Sequence, residues 1–495
     1  MISNIRLIPL TLVLLGSTMT FAQEIQAVVL DSLTQQPIPY ASIYLKSGSG
    51  VLSNEDGFFK INLPSDPKDS LFVSCIGFKT KSLAPLKRND TIIFLTPEAI
   101  ELKNVILSNK QLKVSEIISE IQKNIPEKYE IGVTTKRIFF RETGSQSFKK
   151  LKVAIKKTSI PEFGQSFWNQ TIAEIPNTNS WYFEILGDLT GDYTDENQKL
   201  KLERALELED KKKTVIFENI NKLFDTIIKK NVKTDSYFKI RTGIIGGKID
   251  SDEINSTAED TLTAEEKTQN QKDFFLKRNK TLLSNLMNAL FDKDKLDVRI
   301  LKKASQYEFS LKDYTFLGDT PMYIISFRPK RKADFKGTLY VDADLLTLVR
   351  IDYQNTKAVR DISLMGISFK EDHRSATIQF KKHPSRKYCL EYLDYESSFE
   401  AGFDRPLVIT EKNKVVKGRN KQNQLKMDVN VVNRNTQRYQ LVVFESNPIT
   451  QQTFDALEEK ADILPVNKTT YDPEFWKGFT IIEPNTAIKE FKPNN

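Results

Sequence analysis

The chain has 495 residues, 39% of them hydrophobic and 10% aromatic, enough for two to four domains with packed cores and too apolar for a disordered polymer. Lys and Arg number 73 against 65 Asp and Glu, a mild basic excess that describes a mixed-charge surface or a weak preference for acidic faces such as anionic lipid heads. Two histidines and two cysteines leave no material for a histidine-rich metal centre or a disulfide framework.

Residues 1–22 read as a signal peptide. Arg6 is the basic flank, Leu7 to Thr20 is an apolar stretch broken by Pro9 and Gly16, and Thr20-Phe21-Ala22 places small residues at the two positions a signal peptidase reads. Cleavage is expected after Ala22. The stretch falls short of the roughly 20 apolar residues a membrane span needs. No cysteine follows it, so a lipid-modified N-terminus is not expected. No later segment is apolar enough to cross a bilayer, and export argues against a nucleic-acid partner.

Residues 23–98 carry short β runs at Glu24 to Asp31, Ala41 to Leu45, Phe58 to Leu63, Ser70 to Ile76 and Thr91 to Leu95, separated by Pro, Gly, Asn and Asp clusters. That spacing predicts a small β-sandwich. Pro37 and Pro39 restrict the backbone before a strand, and Gly57 closes the Asn54-Glu55-Asp56 turn with freedom to take a positive φ.

The pattern VVLDSLTQQPIPYASIYLKSGSGVLSNEDGFFKINLP followed by LFVSCIGFKT resembles the carboxypeptidase-like regulatory domain at the front of many exported proteins of the Bacteroidota. Asp31, Pro37, Pro39, Ala41, Ser42, Ser53, Asn54, Gly57, Phe59, Ile61, Leu63, Ile76, Gly77 and Phe78 carry the match, and Ala27 stands where the family usually has glycine. The resemblance implies a transthyretin-like, immunoglobulin-like sandwich without catalytic activity. The enzyme that such a domain accompanies elsewhere has no counterpart in the sequence. His373 and His383 are the only histidines, without an HxxE, an HExxH or a GxSxG. Cys75 and Cys389 are expected as two buried thiols, not a bridge.

Residues 99–127 read as a linker and an amphipathic helix, capped by Ser115 and ended by Pro126, with Ile117, Ile118, Ile121 and Ile125 on one side. Residues 128–460 read as a large antiparallel α+β domain. Its strand-like runs KRIFFRET and LKVAIKKT precede a helix over Asn219 to Asn231 with Ile220, Leu223, Phe224, Ile227 and Ile228 at helical spacing. An acidic loop near 250–266 fails the calcium pattern, since Asn255 and Thr261 stand where glycine and glutamate are required. A helix over Lys267 to Phe291 follows, its apolar side made of Phe274, Phe275, Leu282, Leu283, Leu286, Met287 and Leu290. Its Lys272, Lys277, Arg278 and Lys280 serve either as a solvated face or as a membrane contact.

Tyr314 to Tyr353 is the clearest β signal, an antiparallel meander in which Tyr323, Ile325 and Phe327, then Leu339 and Val341, then Val349, Ile351 and Tyr353 share faces. Tyr323, Phe327, Val349 and Ile351 are the candidate lining of an apolar cavity. Asp342-Ala343-Asp344 reads as a turn. More strands follow at Ala376 to Lys381, Lys387 to Tyr395, Leu407 to Lys417, Gln424 to Val432 and Gln440 to Glu445. The basic residues between Lys412 and Lys426 read as a hairpin loop, Thr450 to Lys460 as helical, and 461–495 as a tail docking through Tyr471 to Trp476. From Ser115 onward the helix and strands, with GTLYVDADLLTLVRI, are similar to the lipoprotein-carrier, LolA-like fold. That resemblance implies a curved antiparallel sheet around helices and an apolar cavity.

The expected fold class is thus mainly β with added helices. The expected function is a non-enzymatic exported envelope protein, periplasmic with an optional outer-membrane contact, that binds a partner protein or an apolar ligand. A lipid or lipoprotein carrier and an envelope hydrolase without a recognisable motif are the alternatives. No cofactor and no metal is called for.

Overall fold

The computed structural model describes residues 23–45, 50–63, 70–83, 91–98, 112–194, 197–233, 235–250, 263–292, 295–330, 332–416, 418 and 420–492. The signal-peptide reading over 1–22, the linker 99–111 and residues 251–262 of the acidic loop lie outside them.

Among the described residues, seven short strands form the N-terminal sandwich: β1 (Gln23–Asp31), β2 (Ser42–Leu45), β3 (Gly50–Leu52), β4 (Phe58–Leu63), β5 (Leu71–Ser74), β6 (Lys81–Leu83) and β7 (Ile92–Leu95). One sheet has the order β4-β1-β7, the other β3-β2-β5-β6. Alternation along each strand turns Ala27 and Val29, Ile43 and Leu45, Phe59 and Ile61, and Leu71 and Val73 into the core between the sheets. Gly57 sits at φ 73°, and a Cβ there would stand 2.6 Å from the Val29 carbonyl, so the turn requires glycine on two counts. β3 and β6 escaped the sequence reading because three residues are too few to show a period.

The amphipathic segment is two helices. Val114–Ile121 is preceded by Lys113 as N-cap, not by Ser115, and Asn124 takes a left-handed φ of 54° before the short helix Ile125–Lys128. Pro126 therefore opens a helix instead of ending one, in the first turn where its missing N–H costs nothing. Ile117, Ile118, Ile121 and Ile125 are all buried as the spacing requires.

The remainder is organised by one open sheet, antiparallel except for its short last strand. Its strands are β8 (Thr134–Thr158), β9 (Thr178–Gly191), β10 (Gln198–Leu208), β11 (Ser236–Thr242) and β12 (Ile245–Asp250). After a small hairpin of β13 (Phe291–Asp292) and β14 (Lys295–Leu296), the sheet resumes with β15 (Tyr307–Leu317), β16 (Thr320–Pro329), β17 (Phe335–Asp342), β18 (Thr347–Asn355), β19 (Arg360–Leu364) and β20 (Ile367–Lys382). It ends with β21 (Tyr388–Asn413), β22 (Lys421–Pro448) and β23 (Val466–Lys468). The order is β15-β16-β17-β18-β20-β21-β22-β8-β9-β10-β23, with β19 on β20, β11 on β21 and β12 on β11.

Register explains the core. Leu311, Ile325, Leu339, Ile351, Ile378, Leu393, Leu441, Phe140, Ile185 and Ala205 form a single cross-strand row from β15 to β10. The face bearing this row is covered by Val114–Ile121 and by the long helix Ala264–Asn288, whose Leu276, Leu283 and Met287 are buried against it. That long helix is held at its start by a capping box: Thr263 Oγ1 accepts from the Glu266 amide at 3.2 Å, and the Glu266 carboxylate accepts from the Thr263 amide at 2.7 Å. Phe274, expected on its apolar side, is 70% exposed. Arg278 pairs with Glu142 at 2.7 Å and Lys280 with Glu459 at 2.5 Å, so these two cations tie the helix to the body.

β8, β21 and β22 run for 25, 26 and 28 residues. Their near halves carry the main core; their far halves project as an arm. Helices Gln165–Glu174 and Lys211–Asn231, with the turn Pro161–Phe163 before the first, cap the far end of that arm through Phe163, Phe167, Trp168, Phe224 and Ile227. The second of these starts at Lys211, earlier than the expected Asn219, with Asp210 as its N-cap: the Asp210 carboxylate accepts the Lys212 amide at 3.1 Å. Leu223, expected in the core, is 48% exposed.

The C-terminal tail joins all parts. Phe475, Trp476, Ile481, Ile482 and Ile488 pack with Leu52 of the sandwich and with Phe139, Leu186, Tyr392 and Val442 of the sheet. Under them Arg141 pairs with Glu184 at 2.6 Å, the Trp476 indole donates to Glu184 at 2.7 Å, and Arg141 donates to the Ile482 carbonyl at 2.9 Å. No helix among the described residues is long and apolar enough to cross a membrane, which leaves spanning by strands unaddressed.

Candidate functional site

Tyr323, Phe327, Val349 and Ile351 are 7%, 3%, 0% and 0% exposed and belong to the main core. Phe327 also lines the edge of a groove on the opposite face of the sheet. Open surface of two kinds is found elsewhere, and register defines both.

The first is polar. On the outer face Ser310, Ser326, Thr338, Asp352, Thr377 and Asp394 stand in one cross-strand row, with Lys336, Gln354, Ser375, Glu396 and Arg438 in the next. These rows floor a groove of about 780 Å³. Its acids are already engaged. Arg350 Nε donates to both Asp352 oxygens at 3.0 and 2.9 Å, Thr377 donates to Asp352 at 2.7 Å, and Arg438 Nε donates to Asp394 at 2.8 Å. Carboxylates clamped in this way are poor proton-transfer groups, since a working acid or base has to be available to a substrate.

Arg438 also marks where the sandwich docks. It pairs with Glu55 and donates to the Tyr40 hydroxyl at 3.0 Å, while the Tyr40 ring stacks on Tyr392 with centroids 4.6 Å apart. Burial raises the Tyr40 hydroxyl well above the usual tyrosine range, so it stays protonated. The adjoining turn grips the tail: Asn54 donates to the Pro484 carbonyl at 3.0 Å, Asn485 donates to Glu55 at 2.6 Å, and the Thr486 amide donates to Asp56 at 3.0 Å. The Ser53 to Gly57 turn thus positions the sandwich on the sheet.

The second surface is apolar and lies on the inner face of the arm, between the two helical layers. Leu364, Ile367, Phe403, Val431 and Leu151 form one cross-strand row over β19, β20, β21, β22 and β8; Ile362, Phe369 and Ala401 continue the next. Phe369 stacks on Phe399 with centroids 5.3 Å apart. Ile362, Leu364 and Ile367 are 58%, 68% and 40% exposed, an unusual state for so many branched side chains on one sheet face. The sequence reading missed these residues. The signal available was the turns GIIGG and SLMGIS, which carry large apolar residues where turns are ordinarily polar.

Buried titratable groups elsewhere are structural. Lys136 is 2% exposed, donates to the Gly191 carbonyl at 2.9 Å and lies 5.2 Å from the Tyr193 ring centre; burial lowers its ammonium to about 8. Cys75 and Cys389 are free thiols, and burial pushes the Cys75 thiol up to about 11 and raises that of Cys389. His373 faces Glu396 at 3.7 Å and His383 bonds Ser385 at 3.0 Å, far from any ligand set. No group of three or more metal-ligating side chains occurs among the described residues.

No curated protein matches the chain. Among solved structures, a crystal structure of MucB in complex with MucA(peri) aligns at 8% identity over 64% of this chain and 92% of that one, with a TM-score of 0.14. The complex of Pseudomonas aeruginosa MucA and MucB aligns at 9% identity over the same shares, with a TM-score of 0.15. Residues 25–107 match the family described as the CarboxypepD_reg-like domain, and the N-terminal sandwich of this chain is a domain of that family.

Proposed function

We propose that the chain is a non-catalytic binding module of the cell envelope, exported through residues 1–22, whose arm offers its apolar inner face to an apolar ligand or to the apolar segment of a partner protein. The observation that carries this reading is the row from Leu364 to Leu151, a cross-strand ladder of large apolar side chains outside the packed clusters. Exposed apolar area of this kind is expensive unless something covers it for part of the molecule's life. The engaged carboxylates of the polar groove support the non-catalytic half of the reading.

The test is binding of a solvatochromic apolar dye to the purified protein, compared with Phe403→Ser. Wild type should bind it and the variant should lose at least about fivefold in affinity, the weight of removing one large apolar contact. Equal binding by both, with both folded by circular dichroism, would reject the arm as the site. Fractionation that leaves the mature protein in the cytoplasm would reject the envelope.

A further inference from the structure

The inner face of the arm contains a charge that its surroundings do not answer. β11 and β20 lie end to end along the same edge of β21: Arg241 pairs with Val408, and Ile367 pairs with Phe403. Residues 404–407 fall in the gap between them, and the turns of two hairpins, at Gly243-Ile244 and Met365-Gly366, meet there. Arg405 lies in this notch. Its Nη2 donates to the Thr242 carbonyl at 2.8 Å, and the chain passes so close that a Cβ on Gly243 would stand 2.4 Å from Nη2 and one on Gly366 would stand 3.0 Å from Arg405 Cγ.

Arg405 is 8% exposed, and its Nη1 is buried with no hydrogen-bond partner; the Thr242 hydroxyl beside it is in the same state. No described carboxylate is bonded to the guanidinium. Arginine cannot relieve such a position by giving up its proton, and an unpaired buried charge is among the most costly arrangements in a protein. The surroundings add a second requirement. Ile244, Leu364 and Met365 are 87%, 68% and 59% exposed at the two turns, and Phe403, Val431 and Leu151 lead away from the notch across β21, β22 and β8, about 10 Å of apolar floor.

We propose that the notch is the head-group site for a single-chain anionic amphiphile, a long-chain carboxylate being the simplest case. Arg405 Nη1 and the Thr242 hydroxyl take the anionic head, and the row of Phe403, Val431 and Leu151 takes the chain. The fit is one of charge and shape: planar guanidinium donors suit a carboxylate, and the floor beyond them is apolar. This rests on the reading of the arm as an apolar binding face and adds what that face selects.

The experiment uses the full mature chain and measures the affinities of a fluorescent long-chain fatty acid, its methyl ester, and acetate. Wild type should bind the acid about tenfold more tightly than the ester and should not bind acetate. Arg405→Gln, which keeps a donor for the Thr242 carbonyl, should bring the acid to the level of the ester and leave the ester unchanged. Arg405→Lys should restore part of the preference. Equal wild-type affinity for acid and ester overturns the proposal without using any variant, and so does an Arg405→Gln protein that still prefers the acid. Co-sedimentation with phosphatidylglycerol vesicles but no binding of the monomeric acid would also overturn it, in favour of a bilayer surface. If neither acid nor ester binds, the apolar-face reading itself falls.

Discussion

At the scale of single residues, buried charge is where sequence and environment disagree most. Lys136 is an ordinary lysine by sequence, yet burial favours its neutral form, with a folded value of about 8 against the usual 10.5. The sign follows from proton binding: between these two values the unfolded chain holds more protons than the folded one, so stability rises with pH across that window and is lowest below about 8. Lys136→Met is expected to be more stable than wild type at pH 7 by roughly 2–3 kcal/mol, less the lost bond to the Gly191 carbonyl, and to lose the rise above pH 8. Urea unfolding at pH 7 and at pH 9.5 checks both parts; a wild-type stability that falls over this range would contradict the assignment.

At the scale of elements, the C-terminal tail is the most sensitive. Trp476→Ala removes a buried ring from the cluster that joins sandwich, sheet and tail, and leaves one Glu184 oxygen unpartnered beneath it. A loss of about 3–5 kcal/mol is expected by denaturant titration, against under about 1 kcal/mol for Phe274→Ala on the exposed side of the long helix. The contrast shows what could be read from sequence. Period-two patterns gave β4 with its observed ends, and the meander from Tyr314 to Tyr353 appeared as β16, β17 and β18 with its faces correctly sorted. The long strands were read as separate pieces. ESSFEAGFDRP inside β21 and NRNTQR inside β22 look like loops, because in the arm both faces are partly wet and alternation fades. Arg405 was invisible for a related reason: its burial depends on two hairpins, more than a hundred residues apart in sequence, meeting on one strand edge.

At the scale of the whole molecule, the sandwich is fixed to the sheet by a small polar junction. Arg438 holds Glu55, Asp394 and Tyr40, and the same turn of the sandwich holds the tail. Arg438→Met strips two carboxylates of their cationic partner, leaving them only neutral donors, and should cost about 2–4 kcal/mol. Hydrogen exchange should then quicken together at residues 53–58 and 484–488, segments far apart in sequence; a response confined to one of them would mean that the junction is not shared. The N-terminal sandwich was legible from its motif. The docking was not, because Tyr40 and the Ser53 to Gly57 turn look the same whether or not they face a second domain.

The pairing of β8 with β22 sets an order of assembly. β21 and β22 adjoin in sequence and can zip from their turn, but the β22 partners of β8 lie almost three hundred residues downstream, at 425–448. The sandwich is complete long before that. A chain made from its N-terminus can pair one edge of β8 early with β9, but it carries the other edge of this 25-residue strand unsatisfied until nearly all of it has emerged. Refolding should show an early phase for the sandwich and a late one for the sheet. In the interval β8 is the segment most in need of a chaperone.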